Sequence, residues 1–193
     1  MERILNHINQ KLREHKIELD ILAVQAEYLQ VQHKWLEAVN SIKVPIKYLI
    51  IGEATVSWAN YFYNEQAKTT SFLNPSHFYK KNKAELIEYF KKRCILVFDL
   101  YPLPLPTFIY DNIKFDCSDS LYHQALQDYF DQIKPFIDDN TKIVIRYSGL
   151  MDRSEFKLFK DIINLEKNKI KIIGCMSANV KQIRAMFKIK EKK

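Results

Sequence analysis

At 193 residues with 47% hydrophobic and 13% aromatic side chains, the chain has the apolar surface for one core, which excludes a disordered polymer and requires no second domain. Its formal charge of +7, gathered largely in the tail that carries Lys181, Arg184, Lys188, Lys190, Lys192 and Lys193, favours polyanions such as nucleic acid or serves as a solubilising tail. Cys94, Cys117 and Cys175 are widely spaced and form no CxxC pair, which suggests neither a disulfide framework nor a four-thiolate zinc site.

The N-terminal "MERILNHINQKLREHK" is charged throughout. It lacks the apolar core of a secretory signal, and no stretch of the chain approaches the roughly 20 apolar residues of a membrane span. A cytoplasmic protein without membrane contact is the expectation. Apolar residues at helical spacing (Ile4, Ile8, Leu12, then Leu19, Leu22, Ala26, Leu29 and Leu36) predict one or two helices, a cap over residues 1–44. The core is expected over 45–193.

Four short apolar runs then predict strands buried on both faces: "IKYLIIG" (46–52), "CILVFDLYP" (94–102), "TKIVIRYSG" (141–149) and "KIKIIGCM" (169–176). Between them, 83–92, 121–137 and 154–167 show helical periodicity, the last opening at Ser154 as an N-cap. A final helix starts near Ser177. Alternating strands and helices imply right-handed crossovers, hence an α/β fold: a three-layer sandwich around a central four-stranded, mainly parallel sheet with the N-terminal helical cap. The irregular stretch 101–119 has the length of a functional loop.

The chain has only three glycines, Gly52, Gly149 and Gly174, and each stands at the carboxyl end of a predicted strand. Ligands of open parallel sheets bind at that edge, where a residue without Cβ permits a sharp turn or a close approach. Glu53, Asp99, Tyr101, Arg146 and Ser177 gather there, with Trp58, Tyr61, Phe62 and Tyr63 at the rim. Those aromatics either stack on a planar heterocycle, each base worth roughly 1–3 kcal/mol, or pack a loop onto the core.

In "GEA" followed by "YFY", in "CILVFDLYP" and in the order of elements over about residues 45–190, the chain resembles the uracil-DNA glycosylase superfamily, in particular its divergent bacterial branch. The resemblance implies a DNA partner, a damaged or deaminated base flipped into a pocket at the strand ends, and hydrolysis of its N-glycosidic bond with neither cofactor nor metal. Carried over, Glu53 is the catalytic carboxylate that positions or deprotonates the water. Ala54, Tyr63, Asp99, Tyr101, Ser177 and Asn179 contact the base, and Arg146, Lys181 and Arg184 meet the phosphate backbone. A carboxylate at Asp99 only accepts hydrogen bonds, so it suits an amino-bearing edge better than uracil. Two departures stand out. Thr55 replaces the usual proline, and "GCMSAN" puts Met176 where relatives have a histidine that stabilises the leaving base. They leave an alternative open, a catalytically inactive module that binds nucleic acid or a nucleobase on the same scaffold. The N-terminal apolar stripe suggests a third role, contact with a partner.

Overall fold

The computed structural model describes residues 2–42, 45–54, 57–67, 73–101, 120–145, 148–164, 170–172 and 180–189. Two N-terminal helices come first, α1 (Glu2–Glu14) and α2 (Ile21–Asn40). Lys16 adopts a left-handed φ of 54° between them, and Asp20 caps α2 by accepting from the backbone N–H groups of Leu22 and Ala23. The strands are β1 (Tyr48–Ala54), β2 (Ile95–Tyr101), β3 (Lys142–Ile145) and β4 (Ile170–Ile172). Helix α3 (Lys83–Lys92) precedes β2, α4 (Ser120–Asp131) and α5 (Ser154–Ile162) flank β3, and α6 (Val180–Met186) follows β4. The α/β class expected from the alternation is what is found.

The strands lie in the order β2-β1-β3-β4 and every pairing is parallel. Tyr48 pairs with Ile95, and Gly52 with Asp99. Side chains alternate between faces along a strand, so register assigns the layers. Tyr48, on the same face as Ile95, meets Phe187 just beyond α6 at 5.0 Å between ring centroids. Phe98 points the other way, to Phe130 of α4 at 6.1 Å and Phe159 of α5 at 5.8 Å. Side chains of α4 and α5 cover one face and Phe187, just beyond α6, packs on the other, which is why Leu49, Ile50, Ile51, Ile143, Val144 and Ile145 are all fully buried.

Several local expectations change. The helix expected over 121–137 stops at Asp131, and a 3-10 turn, Lys134–Phe136, replaces its end, because Pro135 has no N–H to donate and its ring crowds the preceding turn. The cap expected at Ser154 is instead the first helical residue. Arg153 occupies the cap position and makes no side-chain cap bond, while the Ser154 hydroxyl donates to Glu155 at 3.3 Å. The helix expected to reach 167 ends at Ile162, two residues before Asn164 at φ 51°.

The N-terminal helices are shared between two apolar clusters. Leu5, Ile8 and Leu12 of α1 pack with Val24 and Tyr28 of α2 and Ala125 of α4 in a small second cluster. From Val31 onward α2 belongs to the main core, through Val31, Trp35, Ala38 and Val39. The leucines of α2 singled out by spacing lie on its other side, at the surface.

Candidate functional site

Parallel strands share one carboxyl edge. In the order β2-β1-β3-β4 the chain leaves β1 towards one side for β2 and returns to the other for β3, so the crevice of an open sheet lies beyond the ends of β1 and β3. Glu53, one residue before the end of β1, stands at this crevice. Its carboxylate accepts from the guanidinium of Arg153 at 2.6 Å, and both side chains are substantially exposed. Arg153 follows the 3-10 turn Ser148–Asp152 after β3, so the pair bridges the two sides of the crevice.

Behind it lies a more buried layer. Glu155, in the first turn of α5, is only 2% exposed. Tyr122 of α4 donates to it at 3.5 Å, and Tyr101, the last residue of β2, interacts with the same carboxylate. Burial, followed by the Glu155 charge and hydrogen bond, pushes the Tyr101 phenol well above its ordinary range. It stays a neutral donor at any physiological pH. Tyr101 also feels the charges of Arg153 and Glu53, so it connects the buried layer to the surface pair.

On the β1–β2 side, Gly52 answers to its neighbour. A Cβ added there would overlap the Oδ1 atom of Asp99 and lie 3.3 Å from its Cγ. Gly52 is needed for close approach: the Asp99 carboxylate lies across the bare Cα. Asp99 borders a hollow whose other walls are Val31, Gln32, Trp35, Tyr61, Tyr101 and Tyr129. The Tyr129 hydroxyl donates to the Asp99 carbonyl at 2.8 Å. The hollow has a volume of about 10 Å3, room for roughly one water molecule. The flat-ring cavity expected here is filled by core side chains from α2, α4 and the turn after β1.

That turn is the second correction. Tyr61, Phe62 and Tyr63 do not form an aromatic rim; they are 4%, 7% and 4% exposed. Phe62 stacks on Phe90 of α3 at 5.2 Å and meets Tyr63 edge-on at 4.9 Å. The Tyr63 hydroxyl accepts from the Val97 N–H at 2.8 Å, on β2, the strand at one end of the sheet, and so occupies a donor of an edge strand. A base-stacking role for Tyr63 gives way to this structural one. Trp58 alone of the four stays half-buried, and its backbone N–H is held by Glu27 of α2 at 3.0 Å.

Beneath Phe62 lies Lys83, 6% exposed, with its ammonium 4.7 Å from the ring centroid. Burial pulls its pKa down to about 8, against the attraction of Asp99.

The structure therefore brings some of the expected residues together. Asp99 and Tyr101 share the hollow, and Tyr101 interacts with Glu53. By register, Glu53 and Asp99 alternate onto opposite faces of the sheet, and Glu53 is not one of the hollow's walls. Ala54 ends β1 opposite Tyr101. Arg184 is engaged: its guanidinium lies 3.9 Å from the Tyr79 ring and donates to the His77 carbonyl at 3.3 Å, tying α6 to the 3-10 turn Pro75–Phe78. Lys181 is exposed on the first turn of α6. Arg146, Ser177 and Asn179, with Met176, lie outside the described residues. Among the described residues no group of acidic, histidine or cysteine side chains is arranged to hold a metal ion, and no helix is long and apolar enough to cross a membrane.

No family model, curated protein or solved structure matches the chain. The crevice itself carries the functional argument. Sequence reading missed Arg153, Glu155 and Tyr122; the one signal for the first two was the run "RSEF" after the third strand, where the carboxyl edge of a parallel sheet leads into a helix, and Tyr122 had none.

Proposed function

We propose that the chain is a glycosylase-like hydrolase of DNA bases, a three-layer sandwich built on a four-stranded sheet, with its site at the crevice beyond β1 and β3. The observation that carries this reading is the Glu53–Arg153 pair at that crevice, with Tyr101, a neutral phenol bonded to Glu155, close enough to feel the charges of both. In the proposed reaction Glu53 orients a water against the sugar carbon of a flipped nucleotide. Glu53 takes a proton from the water as the C–O bond forms, the N-glycosidic bond breaks, and its electron pair leaves with the base as an anion that solvent then protonates. The base is met at the crevice by the Arg153 guanidinium beside Glu53; the hollow at Asp99, with room for roughly one water, does not take it. In this reading Lys181, exposed on the first turn of α6, offers its charge to the phosphate backbone.

Purified protein should leave alkali-labile abasic sites in oligonucleotides carrying hypoxanthine, xanthine or uracil, and Glu53→Ala should reduce the rate by about 100-fold or more, the scale of lost water positioning. Absence of abasic sites on every lesion, or equal rates with Glu53→Ala, would refute catalysis at this site.

The second reading, a binding module without turnover, is favoured by the tight hollow at Asp99. It requires salt-sensitive binding of single- or double-stranded oligonucleotides with no product formed.

A further inference from the structure

Helix α2 carries two apolar stripes. One, Val24, Tyr28, Val31, Trp35, Ala38 and Val39, is buried in the protein. The other is exposed: Leu22, Leu29 and Leu36 are 77%, 48% and 46% accessible, and they are the large hydrophobic side chains left at the surface among the described residues. Their spacing is seven residues each time. With Ala26 and His33 between them, the outward face repeats at alternate steps of four and three, the seam along which two helices pack side by side.

We propose that this seam pairs two copies of the chain, their α2 helices antiparallel about Leu29. Equal spacing makes the stripe read the same in both directions. Leu22 then meets Leu36 of the second copy, Leu29 meets its own equivalent on the two-fold axis, and Ala26 and His33 lie across from Gln32 and Gln25. A symmetric contact sets like against like, which is costly wherever basic groups face each other in a chain of charge +7. This face avoids that cost. Between Ile21 and Leu36 its one lysine, Lys34, is tied to Glu37 at 2.7 Å, and the positions flanking the seam are Ala23, Gln25, Gln30 and Gln32. Antiparallel helices also oppose their dipoles. The three leucines expose roughly 300 Å2, a patch of the size that marks interaction sites on monomers. Two seams with their flanking residues reach about 1,000 Å2, the lower bound for a specific interface. The pair is accordingly weak and concentration-dependent.

Sedimentation velocity of the full chain from low micromolar to near-millimolar concentration tests this. A monomer–dimer transition is expected, with Leu29→Glu weakening it by about tenfold or more, as central interface positions do, and Leu29→Met restoring it. Circular dichroism and the melting temperature of Leu29→Glu, a change at a half-exposed position, verify that the variant folds. In parallel, Leu29→Cys should join two copies through the introduced sulfurs on mild oxidation, because a residue on the two-fold axis meets itself. A monomer at every concentration would overturn the proposal, as would a dimer insensitive to Leu29→Glu or a Leu29→Cys chain that cross-links no faster than the parent.

Discussion

The two segments that leave the carboxyl edge, the turn after β1 and the turn after β3, use polar chemistry in opposite ways. After β1, Tyr61, Phe62 and Tyr63 turn inward and meet Lys83, the first residue of α3: the phenol of Tyr63 serves a β2 backbone N–H, and the lysine ammonium is sunk under a phenyl ring. After β3, Arg153 remains in solvent and reaches back 100 positions along the chain to Glu53. Residue type alone does not separate the two. Tyrosine and lysine, ordinary ligands for a base and a phosphate, are structural on one side, and an exposed ion pair of small energetic value holds the crevice on the other. Burial is the variable that divides them.

The sharpest way to break this contrast is Phe62→Ala. If the aromatic turn is core, removal of a ring stacked on Phe90 should cost about 3–5 kcal/mol, the range for buried aromatic truncation, seen as a lower denaturation midpoint with the m-value unchanged. A cost below about 1 kcal/mol would return Phe62 to the surface and restore it as a stacking candidate.

Lys83 sharpens the same side through pH. Its folded pKa of about 8 lies below the ordinary 10.5. The unfolded chain therefore binds more protons between those values, and stability rises with pH in that window. At neutral pH and below both states are protonated, and the full penalty for burying the ammonium is present. Lys83→Met should stabilise the protein at pH 7 by up to about 3 kcal/mol, since each pKa unit corresponds to about 1.4 kcal/mol. The advantage should shrink as pH climbs from 8 towards the tyrosine range. An advantage constant with pH would mean that the lysine is solvated in the folded protein.

How much of this was legible depended on whether one stripe of residues had one possible meaning. Continuous apolar runs such as "YLIIG" admit one reading, and β1 and β2 fall close to where expected because both faces are covered, whereas β3 ends at Ile145 and Ser148 and Gly149 of the expected run belong to a 3-10 turn. Helix α2 offered two apolar stripes, and spacing alone favoured the leucines, whereas the protein buries the one rich in Val, Tyr and Trp. The glycine at 52 was legible as a close approach, but its neighbour, Asp99, emerges only from strand register. Glu155 was illegible for a plain reason: an acid in a first helical turn is ordinary on any surface, and only the packing of α4 against α5 encloses it.

The smallest expected effect on stability concerns the other side of the contrast. Arg153→Ala removes an ion pair whose partners are 50% and 39% exposed, and pairs this solvated contribute about 0–1 kcal/mol, so the melting temperature should barely move. Function should respond far more if the crevice is the site. Without its guanidinium, Glu53 loses the contact that fixes its direction, and Arg153→Lys, which keeps the charge but not the planar fork, should recover only part of the loss. The comparison therefore turns on a ratio: a near-silent stability change with a marked drop in base release or oligonucleotide binding assigns the crevice to function. A drop in both together would make Arg153 another structural residue, and the two turns would no longer differ in kind.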